Sequence, residues 1–436
     1  MSVVAHVAPA PSRRGACPGL SAPMATGDGL LVRLPPIGTI ALDAFAGLCA
    51  AARQHGNGII EVTSRGSIQI RGLSAASAPR LATAVATLGI AAVDGIPVLT
   101  NPLADLDAEQ IIDTGALAAD LRHALAHGSL AQRLSAKVSV AIDGGGPLSL
   151  DGITADVRVR AQAVDSVAAL YVSVGGDGQN AVPLGCVAVR DGVKVTTRLF
   201  EVLAQRGRVA RLRDVVAAEG VAAFRSAVAD LIIHDGPARS QLRFSDAVGI
   251  YPLRDGTFAH GVGLAFGHTD ATSLQRLTEA ATVAGASGMR AAPGRTLMIV
   301  GLTRQTAVSF AASAEAIGFI VHADDPRRHV VACAGAPICA SADIAARALG
   351  PQIAAAAAPH LDGSFRIHIS GCAKGCAHPA PTALTVVGTP AGCALISNGS
   401  TRDAPFATVA TNELPAAVAE IARGLKHEDD QENRNV

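Results

Sequence analysis

The sequence predicts an α+β protein of several domains with an internal repeat. Its 436 residues exceed the size at which one hydrophobic core keeps growing, so two to four domains are expected. Segments that alternate apolar and polar residues recur between amphipathic helical segments. The stretch that starts at Gly27 is also repeated, in the order of its strands, helices and glycines, by the stretch that starts at Gly261.

Both copies of the repeat open with the pattern G-x-G-L in strand-like sequence. An amphipathic helix follows in each copy, and then a second strand pair. These elements are predicted at 27–34, 39–54 and 63–73 in the first copy, and at 261–266, 270–284 and 293–302 in the second. Each copy is therefore a β-α-β-β-α-like unit, about half of a larger pseudo-twofold domain.

The glycine spacing supports the repeat. From Gly72 to Gly89 and from Gly301 to Gly318 the interval is 17 positions, and both intervals are alanine-rich and helical in character. The alternative is chance agreement in a chain that has 45 glycines. Outside the copies, strands are predicted at 137–143, 157–160, 169–176, 365–370 and 383–388, and helical segments at 195–206 and 210–230.

Composition excludes several classes of function. Lys and Arg together number 36, as do Asp and Glu, so no global field directs the protein to nucleic acid or a membrane. Aromatic residues make up 3% of the chain and tryptophan is absent, which argues against stacking on single-stranded nucleic acid. No window has eighteen uninterrupted apolar residues, and the first thirty residues lack the basic-then-apolar order of a signal peptide. A cytoplasmic protein is therefore expected.

Four cysteines near the C-terminus are the most specific chemical signal. Cys333 and Cys339 form C-x5-C, and Cys372 and Cys376 form C-x3-C, a spacing typical of a cubane iron–sulfur cluster bound from two loops. The first loop is wider than the turns of most structural zinc sites. The alternative is a set of buried apolar cysteines, but clustering argues against it. Cys17, in turn-rich sequence, is also a candidate site residue.

Basic residues on one strand could hold an acidic ligand. Strand alternation would place Arg65, Gln69 and Arg71 on one face, where the guanidinium forks suit carboxylates. The alternative is a solvated sheet face. Arg290 and Arg295 surround the corresponding strand of the second copy, and a pseudo-twofold arrangement would bring both sets to one cleft.

Three further residues are candidates for the same cleft. Lys137 precedes a predicted strand, and Lys374 lies between two predicted cluster ligands, where a cation would temper the anionic cluster. His378 follows Cys376 by two positions, although a hydrogen-bonded structural histidine is the commoner case.

The repeat, the Lys137 strand and the two cysteine pairs together resemble the sulfite and nitrite reductase superfamily over residues 21–423. The resemblance implies two ferredoxin-like half-domains in pseudo-twofold relation plus two α/β domains around a sirohaem and a [4Fe–4S] cluster. It implies that Cys333, Cys339, Cys372 and Cys376 bind the cluster, and that Arg65, Arg71 and Lys137 contact anionic groups.

The implied domains are an N-terminal arm (1–20), ferredoxin-like half-domain 1 (21–92), a first α/β domain (93–245), ferredoxin-like half-domain 2 (246–325), a [4Fe–4S]-binding α/β domain (326–423) and a disordered tail (424–436). The tail is highly charged and offers nothing to bury.

Three segments, at 14–20, 27–33 and 371–379, have sequences similar to those of the precorrin-3B synthase branch of this superfamily. Ser139 stands where sulfite reductases usually carry a second lysine, which favours this branch. One departure from the branch is the absence of an aromatic residue in 289–295, which puts packing there in doubt. The branch implies an oxygen-dependent monooxygenase of aerobic cobalamin synthesis that hydroxylates precorrin-3A at C20, with ring A lactone formation.

The implied partners are a tetrapyrrole substrate, O2 and an external electron donor, NADH acting through a reductase. A mononuclear non-haem iron is implied as well, without identified ligands. Two alternatives stay open: a sirohaem-dependent sulfite or nitrite reductase, which sirohaem content would reveal, and a non-catalytic cluster carrier, which would need no arginine-lined cleft.

Overall fold

Four β-sheets frame the part of the chain that the structure describes. The computed structural model describes residues 18–434 apart from 36, 92–94, 128 and 235–245. Cys17 and the rest of the predicted N-terminal arm up to residue 17 lie outside the described residues. The α+β class predicted from the sequence is confirmed.

The first copy of the repeat forms an antiparallel sheet with two helices. Its order is β1-β2-β4-β3. On α1 the buried residues recur at helical spacing, as Phe45, Leu48 and Ala52, and this apolar stripe fixes the helix to the core. The elements are β1 (Met24–Thr26), β2 (Gly29–Leu34), α1 (Leu42–His55), β3 (Ile59–Val62), β4 (Ile68–Leu73) and α2 (Ser77–Thr87).

A mixed six-stranded sheet follows, with parallel pairing from β5 to β7 and antiparallel pairing from β7 to β10. The segment predicted as helical at 210–230 is two helices, because Gly220 has a φ of 77° and ends the first. The elements are β5 (Val98–Thr100), α3 (Thr114–Ala126), α4 (Leu130–Arg133), β6 (Val140–Asp143), β7 (Ala155–Val164), β8 (Val167–Gly176), β9 (Val182–Ala188), α5 (Gly192–Ala204), α6 (Leu212–Glu219), α7 (Ala222–Val228) and β10 (Ile232–His234).

The second copy repeats the first. Its sheet order β11-β12-β15-β14 matches β1-β2-β4-β3, and it too is antiparallel. One strand, β13, crosses over to pair with β3 of the first copy, with His268 opposite Glu61. The elements are β11 (Gly249–Pro252), β12 (Phe258–Gly263), β13 (His268–Asp270), α8 (Ala271–Val283), β14 (Gly288–Ala292), β15 (Thr296–Leu302) and α9 (Arg304–Ile317).

The two copies share one hydrophobic core. Phe45 on α1 and Ile70 on β4 belong to the same buried cluster as Leu277 on α8 and Phe310 on α9. Helices α1 and α8 pack against each other across the junction. Since each copy alone would leave one face of its helices exposed, the pair folds as one unit.

The last domain places two loops at one edge of a sheet. Strands β16, β17 and β18 are parallel neighbours, and β18 to β20 are antiparallel. Carboxyl ends of parallel strands lie at the same edge, so the loops after β16 and β17 meet there. The elements are β16 (Val330–Ala332), α10 (Ala346–Ala357), β17 (Ile367–Ser370), β18 (Thr382–Thr389), β19 (Gly392–Gly399), β20 (Ala407–Val409) and α11 (Leu414–Arg434).

The predicted disordered tail is largely helical. Helix α11 continues to Arg434, and Leu425 packs against the core of the last domain. Lys426 forms an ion pair with Asp362 at 3.2 Å between Nζ and Oδ2. The charged segment at 424–434 thus continues a helix that is anchored to the last domain. None of the helices in the described ranges has the length and apolar character to cross a membrane.

Candidate functional site

The four clustered cysteines come together at the edge formed by β16 and β17. Cys333 directly follows β16, and Cys372 comes two residues after the end of β17. Burial raises the pKa of Cys333 above its ordinary value, and the neighbouring Cys376 and Cys372 raise it further. Cys376 in turn lies within electrostatic reach of Cys372 and Cys339. The four thiols therefore form one group, as the sequence spacing requires of shared ligands.

This group fits a cluster better than a single ion. In the described residues, no three His, Cys, Asp or Glu side chains are placed to hold one metal ion. In a cubane cluster each thiolate binds a different iron, so the sulfur atoms stand further apart than around one metal. The Gly371 N–H donates to Cys333 Sγ at 3.1 Å, a contact that would stabilise a thiolate.

A turn from the first copy of the repeat lies against the cysteine loops. A Cβ added at Gly27, between β1 and β2, would be 2.3 Å from Cys339 Sγ, so only glycine permits this approach. The Ala340 N–H donates to the Gly27 carbonyl at 2.9 Å. Lys374 Nζ donates to Ser341 Oγ at 2.7 Å and so ties the two cysteine loops together.

One face of the first sheet carries a buried polar network. Arg71 donates to both carboxylate oxygens of Asp28 at 2.8 Å and to those of Glu61 at 3.3 Å. With its amide oriented to satisfy its neighbours, Gln69 donates to Glu61 and accepts from Arg33. The predicted alternation of β4 is thus confirmed for Gln69 and Arg71, which share this face.

The polar face and the cysteine group meet at Cys376. Although Cys376 is exposed, the surrounding protein raises its pKa, while the positive charge of Arg71 opposes the rise. A ligand on this sheet face would therefore lie beside the last cysteine of the C-x3-C pair.

Beyond Arg71 the site has an excess of cationic groups. Arg295, with an unusual φ of 63°, donates to the Ala377 carbonyl at 3.2 Å and forms no ion pair within the described residues. Burial lowers its pKa to about 10, and repulsion from Arg366 contributes. Burial also lowers the pKa of Arg366, which likewise has no acidic partner in the described part of the chain.

Two buried histidines, His268 and His368, and the partly buried His378 lie among these arginines. Burial lowers the pKa of His268 to about 3, with Arg347 the strongest charged contributor. His368 and His378 stack edge to face, 5.8 Å between ring centres, and burial lowers the pKa of each to about 4. All three are neutral at physiological pH and can donate hydrogen bonds without adding charge.

The remaining predicted residues lie elsewhere. Arg65 reaches the first α/β domain, where it donates to Ser139 Oγ at 3.1 Å and to the Thr154 carbonyl at 2.5 Å. Lys137 is exposed in the turn before β6. Of the eight predicted substrate contacts, Gln69, Arg71, Arg295 and His378 gather near Cys376, and Lys374 lies in the same loop as Cys376.

The prediction that Arg290 shares one cleft with the arginines of the first copy is wrong. Arg290 occupies the face of the second sheet equivalent to that of Glu61, but the first α/β domain covers this face. Arg290 donates to Asp105 at 2.8 Å, to the Ala104 carbonyl at 2.9 Å and to Thr39 at 2.7 Å. The pseudo-twofold relation therefore does not bring Arg290 and Arg71 together.

Sequence reasoning missed Arg347 and Arg366. Arg366 precedes β17 and Arg347 lies in the first turn of α10, so neither belongs to the repeat that directed attention to arginines. A signal for Arg366 did exist, because alternation along 365–370 places it on the same strand face as His368.

Comparison with known proteins agrees with this architecture. The ferredoxin-like half domain of nitrite and sulfite reductases matches residues 22–88. A precorrin-3B synthase from Sinorhizobium sp is 38% identical over 96% of this chain and 90% of its own length. The chain belongs to the precorrin-3B synthase family. It is thus related to an enzyme over nearly its whole length, within the sulfite and nitrite reductase superfamily predicted from its motifs.

More distant relatives of this precorrin-3B synthase family member are reductases. A ferredoxin–nitrite reductase from Synechococcus elongatus is 24% identical over 73% of this chain and 68% of its own length. The solved structure of the Mycobacterium tuberculosis NirA protein superposes with a TM-score of 0.73 at 20% identity, covering 90% of this chain and 80% of that one. This likeness confirms the predicted sulfite and nitrite reductase-like fold.

Proposed function

We propose that the protein is an oxygen-dependent monooxygenase of aerobic cobalamin synthesis that converts precorrin-3A to precorrin-3B. The reaction is C20 hydroxylation with closure of a lactone from the ring A acetate. The family relationship supports the overall activity. The observation that carries the substrate class is a pair of arginines without ion pairs in the described residues: half-buried Arg295, bonded to Ala377 next to Cys376, and exposed Arg366, close to Arg295 and His378.

Unpaired guanidinium groups in a partly desolvated site are costly unless a ligand compensates them. A polycarboxylated tetrapyrrole is such a ligand, because its carboxylates match the donor forks of several arginines at once. Arg71 differs from the others, since Asp28 and Glu61 already neutralise it. We assign Arg295 and Arg366 to substrate carboxylates, and Arg71 to the wall beside the cluster.

The cysteine group fits a [4Fe–4S] cluster, which Cys333, Cys339, Cys372 and Cys376 would hold. When bound, such a cluster supplies electrons one at a time. Monooxygenation puts one oxygen atom into the substrate and releases the other as water, so two electrons and two protons must come from outside. We assign the electrons to NADH through a separate reductase.

The chain's own residues position and desolvate the substrate. The neutral rings of His368 and His378 can donate to carbonyl or carboxylate oxygens next to the cluster edge. His368 is fully buried, and neither of its ring nitrogens has a hydrogen-bond partner in the described structure. A buried imidazole without partners is a costly arrangement that a bound ligand would relieve.

A mononuclear iron was also implied by the sequence resemblance. The described residues include no group of three side chains placed for one metal ion, so they do not fit such a centre and we assign it no ligands. His378 lies beside His368 and two residues after Cys376, whereas Cys17 is outside the described residues.

The proposal is tested on protein purified without oxygen. We expect broad thiolate-to-iron absorption without sharp haem bands, and about four iron atoms per chain. Cys376→Ser should lose most of this iron, whereas Cys393→Ser, outside the group, should keep it. Turnover of precorrin-3A under ¹⁸O2 should place one labelled oxygen in the product.

Two results would contradict the proposal. Sharp sirohaem bands together with reduction of sulfite or nitrite would favour the reductase alternative. If the protein shows iron–sulfur absorption but neither Arg295→Ala nor Arg366→Ala changes tetrapyrrole binding, the cluster-carrier alternative would be favoured.

A further inference from the structure

A second cleft lies between the end of α9 and the start of α10, and His268 forms part of its wall. Its volume is about 190 Å³. Apolar residues form much of its wall, and its polar groups include His268 and Arg347. Drug-sized ligands usually occupy cavities of about 300 Å³ or more, so this cleft suits a group of a few heavy atoms.

His268 is the first indication of a ligand. It is 7% exposed, and neither ring nitrogen has a hydrogen-bond partner within the described structure. Its position is fixed by the pairing of β13 with β3. A buried imidazole that lines a cavity with both nitrogens unsatisfied has the donor that a bound polar group would need.

Arg347 is the second indication. It is half-buried, has no hydrogen bond or ion pair within the described ranges, and lines the same cleft. Asp270 and Glu61 attract it only from a distance, and Asp270 is already occupied as the N-cap of α8. A guanidinium beside an imidazole donor is complementary to a planar anion with two acceptor oxygens.

The backbone near His268 connects the cleft to the main site. Gly267 has a φ of 85°, and a Cβ there would be 2.5 Å from Cδ of Arg295. The stem of Arg295 therefore passes along Gly267 towards Ala377, and the next residue, His268, lines the cleft. Arg347 of the cleft and Arg71 and Arg295 of the main site all act electrostatically on His268, which lies opposite Glu61 on the same sheet face.

We propose that this cleft binds a carboxylate, held by Arg347 and His268. The carboxylate has two possible sources: a small free carboxylic acid that enters from solvent, or one carboxylate arm of the tetrapyrrole. The second source rests on the proposed function, whereas the first is independent of it. The cleft is too small for the macrocycle itself.

The test is calorimetric titration of the full-length protein with malonate and, separately, with uroporphyrin, an air-stable polycarboxylated tetrapyrrole. Arg347→Leu should weaken binding of at least one probe by about tenfold or more, because it removes one partner of a desolvated charge pair. His268→Leu should weaken the same probe. Arg208→Leu, an exposed arginine outside both sites, is the matched control and should bind as the wild type does.

The two probes separate the sources. If malonate binding depends on Arg347, the cleft is a site for free carboxylates. If only uroporphyrin binding depends on Arg347, the cleft binds a carboxylate arm of the substrate. If the wild type binds neither probe, or if both variants bind as the control does, the inference is wrong. Arg347→Gln, with a polar side chain, replaces Arg347→Leu if that variant fails to fold. Failure of uroporphyrin binding with intact malonate binding would count against the proposed function alone.

Discussion

At the scale of single residues, Arg71 has a structural role as well as a place in the site. Its guanidinium neutralises two carboxylates, of which the Asp28 side chain is 1% exposed. We predict that Arg71→Leu destabilises the fold by about 3 kcal/mol, because it leaves buried carboxylates unpaired. Urea unfolding measures this loss, and Arg53→Leu, whose hydrogen bonds are to a carbonyl and a glutamine, is the control. Equal losses in the two variants would contradict the prediction.

The same pair predicts a pH dependence. Burial alone would raise the pKa of Asp28, but the hydrogen bond and charge of Arg71 outweigh it and hold the pKa below its ordinary value. Since the folded pKa is lowered, the stabilisation is complete above the unfolded value of about 4 and is lost as the pH falls through the folded value. We predict that wild-type stability falls more steeply below about pH 4 than that of Arg71→Leu. Parallel curves from unfolding at a series of pH values would refute this.

The predictability of individual residues depended on whether a pattern constrained them. Gln69 and Arg71 could be placed on one face because strand alternation fixes side-chain direction. The contacts of Arg65 with Ser139 and Thr154 join distant parts of the chain, and no local pattern reports such packing. Arg347 lies on α10, where helical periodicity shows which residues face the core but not what a half-buried arginine approaches.

At the scale of secondary-structure elements, the turn between β1 and β2 couples the first copy of the repeat to the cysteine loops. Gly27 makes the close approach to Cys339 possible. We predict that Gly27→Ala lowers iron content by about half or more after anoxic reconstitution, because the added methyl group displaces Cys339 Sγ. The readout is iron and sulfide per chain.

Gly152→Ala is the matched control for this prediction. A Cβ at Gly152 meets nothing within 4 Å, and its φ is not in the left-handed region, so that variant should retain full iron content. Full occupancy in Gly27→Ala as well would show that the turn does not support the cluster loops.

Most elements followed from sequence periodicity, and the exceptions have physical reasons. The segment at 210–230 kept a helical pattern across Gly220, whose positive φ breaks it into α6 and α7. The charged end of the chain was expected to be disordered, but it continues α11, which needs apolar residues on one side only, and Leu425 supplies part of that contact. Local composition alone cannot show that a helix packs beyond its apolar section.

At the scale of the whole molecule, the two copies of the repeat keep one fold and have diverged on one face. When Gly72 is aligned with Gly301, the positions of Gln69 and Arg71 in the first copy correspond to Met298 and Val300 in the second. Met298 and Val300 pack against Leu103 and Leu148 of the first α/β domain. The sequence repeat predicted the shared fold, but it could not show that one face binds a domain and the other stays available to a ligand.

This divergence gives opposite predictions for Arg290 and Arg295. Arg290 holds the second copy to the loop at 102–105 through an ion pair and carbonyl contacts. We predict that Arg290→Leu destabilises the fold by about 3 kcal/mol, since buried carbonyls lose a charged donor. Arg295 has no acidic partner in the described structure, and burial already lowers its pKa. Arg295→Met should therefore cost less than about 1 kcal/mol or stabilise the fold, because it removes an uncompensated cation.

The effects on tetrapyrrole binding should be the reverse of the effects on stability: Arg295→Met should lose more binding than Arg290→Leu. Arg295→Met should weaken uroporphyrin binding by about tenfold or more, whereas folded Arg290→Leu should bind within about twofold of the wild type. Denaturant unfolding and calorimetric titration on the same preparations give both quantities. A stability loss in Arg295→Met equal to that in Arg290→Leu would mean that Arg295 is also structural. The opposed pattern would show that one copy of the repeat uses its arginine to join domains and the other uses its arginine to hold a ligand.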